Sequence, residues 1–210
     1  MLIFDLDGTL IDSNGIWRDV DIAFLEKRGL PYTHAYYEGV AHTTFPLAAV
    51  FTKEFCHLSE SVEEIMAEWM ELAGNVYAEK VPVKPGVLAY LEQCRRQGER
   101  MVVLTSSVPV HCRTALEHLG LRPYFERLIF AQELQMEKKN PAIFHKAAQL
   151  LGVKEFDCTV YDDSLAACRS AKEAGMQVVG VYDDYFAQCK PEMQQLCDRF
   201  ILSFEELLEP

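Results

Sequence analysis

The chain is predicted to fold as an α/β protein: a doubly wound parallel sheet with an α-helical domain inserted after the first strand. Three patterns predict this. Short apolar runs ending in polar residues recur along the chain, and the later runs alternate with amphipathic segments that close on glycine. That rhythm fails once, over a stretch in which every apolar pattern is helical.

The apolar runs, in order, are "MLIF" (1–4), "MVVLT" (101–105), "RLIF" (127–130), "CTVY" (158–161), "QVVGVY" (177–182) and "RFIL" (199–202). Each has strand length, most are rich in β-branched or aromatic residues, and most lack polar alternation, as expected of strands covered on both faces. Between the later runs lie "GVLAYLEQCRRQG", "VPVHCRTALEHLG", "NPAIFHKAAQLLG" and "SLAACRSAKEAG", with apolar residues three or four apart. They close on Gly98, Gly120, Gly152 and Gly175, and glycine readily adopts the left-handed conformation that ends a helix. The interrupting stretch contains "IWRDVDIAFLEKRG", "FPLAAVFTKEFC" and "SVEEIMAEWMELAGNVYAE", all helix-like, and "VPVKPG" (81–86) reads as a stiff return connection. The expected division is a core of 1–12 and 86–210 with a helical insert of 13–85.

With 210 residues, half of them hydrophobic, the chain has material for one good-sized α/β core plus a smaller insert. A formal charge of −12 and a pI near 4.9 disfavour nucleic acid and anionic membrane surfaces, whose binding needs clustered Lys and Arg. With neither a leader pattern nor an apolar run approaching the ~20 residues of a membrane span, the expected location is cytoplasmic, as a monomer or weak homodimer. The seven cysteines are scattered and form no C-x-x-C pair, which points to reduced core or surface residues.

Ligands of an open parallel sheet sit at the carboxyl ends of its strands. The polar residues at those ends are Asp5 and Asp7, then Thr105, Ser106 and Ser107, then Asp162 and Asp163. Clustered carboxylates repel one another by roughly 1–4 kcal/mol per close pair, so the rim needs protons or a cation. Hard oxygen ligands without His or Cys point to Mg²⁺, which takes carboxylates together with phosphate oxygens and water. That choice implies a phosphorylated ligand. Thr105 offers it a hydroxyl hydrogen bond, and the amides of Leu6, Asp7 and Ser106 can form an anion-binding concavity. In "EKKNP", Lys138 or Lys139 would complete the charge balance. A calcium loop counted from Asp5 is excluded, because Thr9, Leu10 and Ile16 stand where its ligand, Gly and Glu belong.

In "FDLDGTLIDS", "VVLTSS", "KKNPAIF" and "VYDDSLAACRSAKEAGM" the sequence resembles the four motifs of the haloacid dehalogenase (HAD) superfamily, in family order. The likeness is to its phosphatase-like branch with a helical cap after the first motif, which includes phosphoglycolate phosphatases and β-phosphoglucomutases. It implies a Rossmann-like core and a cap. It makes Asp5 the nucleophile that forms an aspartyl-phosphate, and Asp7 the acid that protonates the leaving oxygen and then the base that activates water. Thr105 would hold the phosphoryl group and Lys138 would neutralise it, with Lys139 left open because it replaces a proline usual in the third motif. Asp5, the Asp7 carbonyl, Asp163 and its neighbour Asp162 would face Mg²⁺. A fourth-motif glycine is replaced by Ala167, a mild change within a helix.

The resemblance also sorts the chemistry. Haloacid dehalogenases and phosphonatases lack the second aspartate, so Asp7 speaks for phosphoryl transfer. The mutases carry a cap histidine where this chain has Trp17, which favours hydrolysis over sugar-phosphate mutation. Receiver domains differ in motif order and length, leaving a non-catalytic HAD-like binder of phosphorylated ligands as the alternative of another class. The expected function is a Mg²⁺-dependent phosphomonoester hydrolase of a small phosphorylated metabolite. The cap would close over the site, with Trp17, Arg18, His42, Thr43, Thr44 and Lys84 as readers of the leaving group.

Overall fold

The computed structural model describes residues 1–40, 43–79 and 81–209. Its elements run β1 (Leu2–Phe4), α1 (Asn14–Glu26), α2 (His34–Val40), α3 (Phe45–Phe55), α4 (Val62–Glu79), α5 (Val87–Arg96), β2 (Met101–Thr105), α6 (Pro109–His118), β3 (Arg127–Phe130), α7 (Ala131–Leu134), α8 (Ala142–Leu151), β4 (Thr159–Asp162), α9 (Leu165–Glu173), β5 (Gln177–Val181), α10 (Lys190–Leu196) and β6 (Arg199–Ile201). All six strands pair in parallel in the order β3-β2-β1-β4-β5-β6, the doubly wound arrangement. β4 starts and ends one residue later than its apolar run, because Asp162 still pairs with Gly180 of β5. The short helices α2, α7 and α10 carry too few residues to show a period in the sequence.

The chain divides into two compact units, 1–13 with 81–210, and 14–80. In the first, strand alternation separates two apolar layers. Ile3, Val102, Leu104, Val160 and Val178 pack into one core with α8 and α9 residues such as Phe144 and Ala171. Phe4 and Tyr161 point the other way and stack with ring centroids 4.5 Å apart, beside Tyr90 and Phe204. The hydroxyls of Tyr90 and Tyr161 share a 2.6 Å hydrogen bond, so two buried phenols satisfy each other within that aromatic layer. Gly86 opens α5 at a φ of 80°, and a Cβ there would lie 2.3 Å from the Glu205 amide nitrogen, so glycine is required twice over. Residues 81–85, the end of the expected insert, belong to this unit: Val83 bridges Ile11 antiparallel, and the Lys84 amide donates to Leu10 O at 3.0 Å.

The second unit is formed by α1–α4 around Phe24, Tyr36, Ala49, Ile65, Trp69 and Tyr77, all buried. The apolar stripes of α1, α3 and α4 are those read from the sequence, and their rings interlock, Phe24 meeting Trp69 edge-on at 5.6 Å. Arg28 lies over the Phe24 ring and pairs with Glu68 at 2.7 Å and Glu60 at 3.0 Å, tying α1 to α4 and the turn before it. Asp21 of α1 is half-buried: the Tyr36 hydroxyl donates to Asp21 Oδ1 at 3.1 Å and shares a 2.9 Å hydrogen bond with Thr52 Oγ1.

Candidate active site

The register of the two central strands assembles the site. Phe4 pairs with Tyr161, so the next residues, Asp5 and Asp162, emerge side by side on the face that Ile3 and Val160 occupy two residues earlier. The Asp5 amide donates to Tyr161 O at 2.9 Å and fixes that alignment one residue past β1. Between β1 and β4 the winding of the sheet changes direction, which opens a crevice at the carboxyl ends of the strands.

One carboxylate oxygen each from Asp5, Asp162 and Asp163 lies within 4.8 Å of the others. Lys138 arrives from the loop between α7 and α8, its Nζ 2.7 Å from Asp5 Oδ1 and 2.5 Å from Asp162 Oδ2. None of these four residues is more than 9% exposed. Two of the acids are also held from behind: the Ser164 amide donates to Asp162 Oδ1 at 2.9 Å, and Thr9 Oγ1 donates to Asp163 Oδ1 at 3.0 Å.

Burial pushes the Asp5 carboxyl up, Lys138 pulls it down, and Asp162 and Asp163 push it up again, leaving it well above the usual carboxylate range. Burial alone would lower the Lys138 ammonium, but Asp162 and Asp5 outweigh it and hold the group charged, above its ordinary value. With all three acids ionised, one ammonium would leave two negative charges unmatched. A divalent cation would match them, and an all-oxygen donor set suits a hard ion, so these residues fit a metal.

Asp7 stands apart from that cluster, and its Oδ1 accepts from Ser13 Oγ at 2.6 Å. Leu6, fully buried, separates the two acids and points into the core. The loop turns tightly behind them: the amides of Leu10 and Ile11 donate to Leu6 O at 2.9 and 3.1 Å, and Gly8 takes a φ of 76° that an L-residue strains to adopt. Thr105 is buried with its Oγ1 accepting from the Ser107 amide at 2.9 Å, while Ser106 is exposed beside it.

The structure brings Lys138, and not Lys139, to the acids; Lys139 is exposed and pairs with Glu137 at 2.9 Å. Lys84 is a correction. Its ammonium donates to Gly8 O at 2.6 Å, Tyr182 O at 2.7 Å and Asp183 Oδ2 at 2.8 Å, so all three hydrogens are committed and it acts as a strut beneath the acid loop, not as a substrate contact. Trp17 and Arg18 lie in α1 of the helical unit, where Trp17 Nε1 donates to Tyr77 Oη at 3.0 Å and Arg18 is exposed. Thr43 and Thr44 precede α3 in the same unit, and His42 lies outside the described residues.

Sequence reasoning missed Thr9 and Ser13, both fully buried, which anchor Asp163 and Asp7. A hydroxyl recurring within the acid loop was the available signal. It also passed over His111 in the first turn of α6; Ser107, read as a strand-end residue, has a buried Oγ with no hydrogen-bond partner among the described residues. Burial pushes the His111 imidazole down and the charge of Asp7 pushes it partly back, leaving it below its ordinary value.

Residues 1–175 match the model of the haloacid dehalogenase-like hydrolases. The chain belongs to that family. A phosphorylated carbohydrates phosphatase of Thermotoga maritima is 24% identical over 176 residues, 84% of this chain and 82% of that one. A fructose-1-phosphate phosphatase of Escherichia coli is 28% identical over 181 residues, covering 86% and 95%. The crystal structure of a β-phosphoglucomutase from Clostridium difficile superposes with a TM-score of 0.78 over 99% of this chain and 92% of that one, a likeness of fold at 20% identity. The chain is an enzyme, a phosphatase-type hydrolase of this family.

Proposed function

We propose that the chain is a Mg²⁺-dependent phosphomonoester hydrolase of a small phosphorylated metabolite, with a sugar or polyol phosphate as the first class to test. The observation that carries the reading is the division of labour between two neighbouring acids: Asp5 lies against Lys138, Asp162 and Asp163, whereas Asp7 lies on Ser13 outside that cluster. The names of the two phosphatase relatives support the substrate class.

An Asp5 oxygen attacks phosphorus, the bond to the leaving oxygen breaks, and Asp7 delivers a proton to that oxygen, which departs as an alcohol. Asp7, now a carboxylate, removes a proton from water as the water attacks the aspartyl-phosphate; the phosphorus to Asp5 bond breaks, and phosphate leaves. Lys138 balances the charge of nucleophile and phosphoryl oxygens, and Thr105 with the amides of Leu6 and Ser106 orients them. The orphaned hydroxyl of Ser107 supports a polar ligand beside Thr105. Mg²⁺, held by Asp5, Asp162, Asp163 and the Asp7 carbonyl, would supply further neutralisation of the phosphoryl charge. The helical unit is proposed as the cap that reads the leaving group through Trp17, Arg18, His42, Thr43 and Thr44. An indole donates hydrogen bonds and does not titrate, so Trp17 cannot replace the acid-base histidine of the mutases.

Phosphate release from p-nitrophenyl phosphate and a panel of phosphorylated sugars, polyols, phosphoglycolate and nucleotides, with Mg²⁺ or EDTA, tests the proposal. Mg²⁺-dependent release that Asp5→Asn and Asp7→Asn each abolish is expected. Metal-independent turnover, or turnover undiminished in Asp5→Asn, overturns the mechanism; isomerisation without net release makes the enzyme a mutase, and binding without turnover across the panel makes it a binder.

A further inference from the structure

Lys84 is spent entirely on two backbone carbonyls and one acid. Its side chain is 13% exposed, and that of Asp183, which balances its charge, is 5% exposed. An ammonium so far from water needs a counter-charge and an acceptor for every hydrogen. Asp183 supplies the first and is itself fixed, its Oδ1 accepting from the Tyr185 amide at 3.0 Å as the cap of the turn after β5. Of the two carbonyls that complete the set, the one at 2.6 Å belongs to Gly8, the residue immediately after Asp7.

Gly8 is where the acid loop is easiest to deform. A glycine at a φ of 76° leaves the chain behind Asp7 free to swing unless its peptide groups are held. The Gly8 amide donates to Ile11 O at 2.9 Å, and Lys84 holds the Gly8 carbonyl with a charge-assisted hydrogen bond, the stronger kind. The backbone around Lys84 is stitched to the same loop: its amide donates to Leu10 O, Val83 bridges Ile11, and the Asp12 amide donates to Pro82 O at 3.0 Å. Thr9, beyond the gripped carbonyl, has a second anchor in Asp163 Oδ1, so loss of the Lys84 bond falls on the Asp7 side of Gly8.

We propose that Lys84 is a positioning residue for proton donation: by gripping Gly8 O it holds Asp7 where its carboxyl protonates the leaving oxygen. This rests on the reading of Asp7 as the general acid. As the bond from phosphorus to the leaving oxygen breaks, its electron pair stays on that oxygen and the Asp7 proton joins it. The chemistry dictates which esters feel a displaced acid. A sugar or polyol departs as a costly alkoxide unless it is protonated, whereas p-nitrophenolate is a delocalised anion that departs without a proton. Loosening Gly8 therefore slows the first kind of ester and spares the second, and a misplacement of about 1 Å is worth about a hundredfold.

Lys84→Met removes the bond to Gly8 O, and Lys84→Met combined with Asp183→Asn removes it without leaving a buried carboxylate unpaired, so the test survives if the single variant does not fold. The measured quantity is kcat/KM, which reports only the steps up to departure of the leaving group, for p-nitrophenyl phosphate and for the sugar or polyol phosphate that the parent hydrolyses fastest. The expected result is a loss of about a hundredfold on the sugar or polyol ester and of less than about threefold on p-nitrophenyl phosphate, with the inhibition constant of inorganic phosphate unchanged. Hydrogen exchange followed by mass spectrometry without substrate is expected to rise in the peptide carrying Gly8 to Ile11 and to stay unchanged in β2 and β3. Equal losses on the two esters, no loss on either, or exchange that rises throughout the chain overturns the positioning role. The ratio of variant to parent reads that role alone; a parent that hydrolyses neither ester overturns the hydrolase reading, and the positioning role falls with it.

Discussion

In the sheet unit three acids, Asp5, Asp162 and Asp163, crowd around the single ammonium of Lys138; in the helical unit one acid, Asp21, is met by the phenol of Tyr36. Burial raises both Asp5 and Asp21, but their neighbours differ in kind. Asp21 can be neutralised by a proton and still accept from Tyr36, so it behaves as an internal strut. The cluster around Asp5 would carry more negative charge than its one lysine balances once all three acids ionise, so it calls for a cation, the setting in which Asp5 is proposed as the nucleophile. Carboxylates withdrawn from water are thus suited to different work according to whether the surroundings offer a proton or a cation.

The largest effect separating the two sites is expected from Asp5→Asn, which removes the proposed attacking oxygen: turnover falls by about a thousandfold or more, while the melting temperature holds or rises because buried charge is relieved. A melting temperature that collapses with activity would make Asp5 structural and break the contrast. Lys138→Met comes next. It leaves three carboxylates facing one another and should cost about 3–5 kcal/mol in urea unfolding, part of which Mg²⁺ restores. Third, Mg²⁺ at about a hundred times its dissociation constant should stabilise the parent by about 2.7 kcal/mol and Asp163→Asn much less; equal stabilisation of both would place the ion elsewhere.

The smallest effect belongs to the helical unit. Burial pushes the Asp21 carboxyl up to about 7 from an ordinary 3.8, against a lowering by the Tyr36 hydrogen bond. The folded state thus holds the proton more tightly than the unfolded chain. The resulting stability is fully present below about pH 3.8, declines as the pH climbs toward 7, and changes no further once the acid is charged in both states. Asp21→Asn should flatten that slope and exceed the parent at pH 8 by on the order of 1 kcal/mol. Denaturant melts at pH 5, 6, 7 and 8 measure it, and an unchanged slope in the variant would remove Asp21 as its source.

Much of this arrangement was readable in the sequence because its causes are local. A period of two or an unbroken β-branched run marks a strand, a period near 3.6 closed by glycine marks a helix, and both survive without knowledge of distant neighbours. The same locality placed Asp5 and Asp7 at the end of β1, Thr105 at the end of β2, and Asp162 with Asp163 at the end of β4. Lys84 was misread for the complementary reason. Its position after "VPV" suggests the insert, yet three acceptors from two distant loops decide its role.

The sequence by itself determined the parallel α/β class, the place of the helical interruption, and the acids at the strand ends, since each follows from residue type and spacing. Tertiary structure alone decided between Lys138 and Lys139, hung Asp163 on Thr9 from 154 residues away, and set the Tyr36 hydroxyl on Asp21. Those outcomes depend on strand register and on which buried groups must satisfy one another's charge and hydrogen bonds, and such requirements arise only when distant segments are packed together and shielded from water.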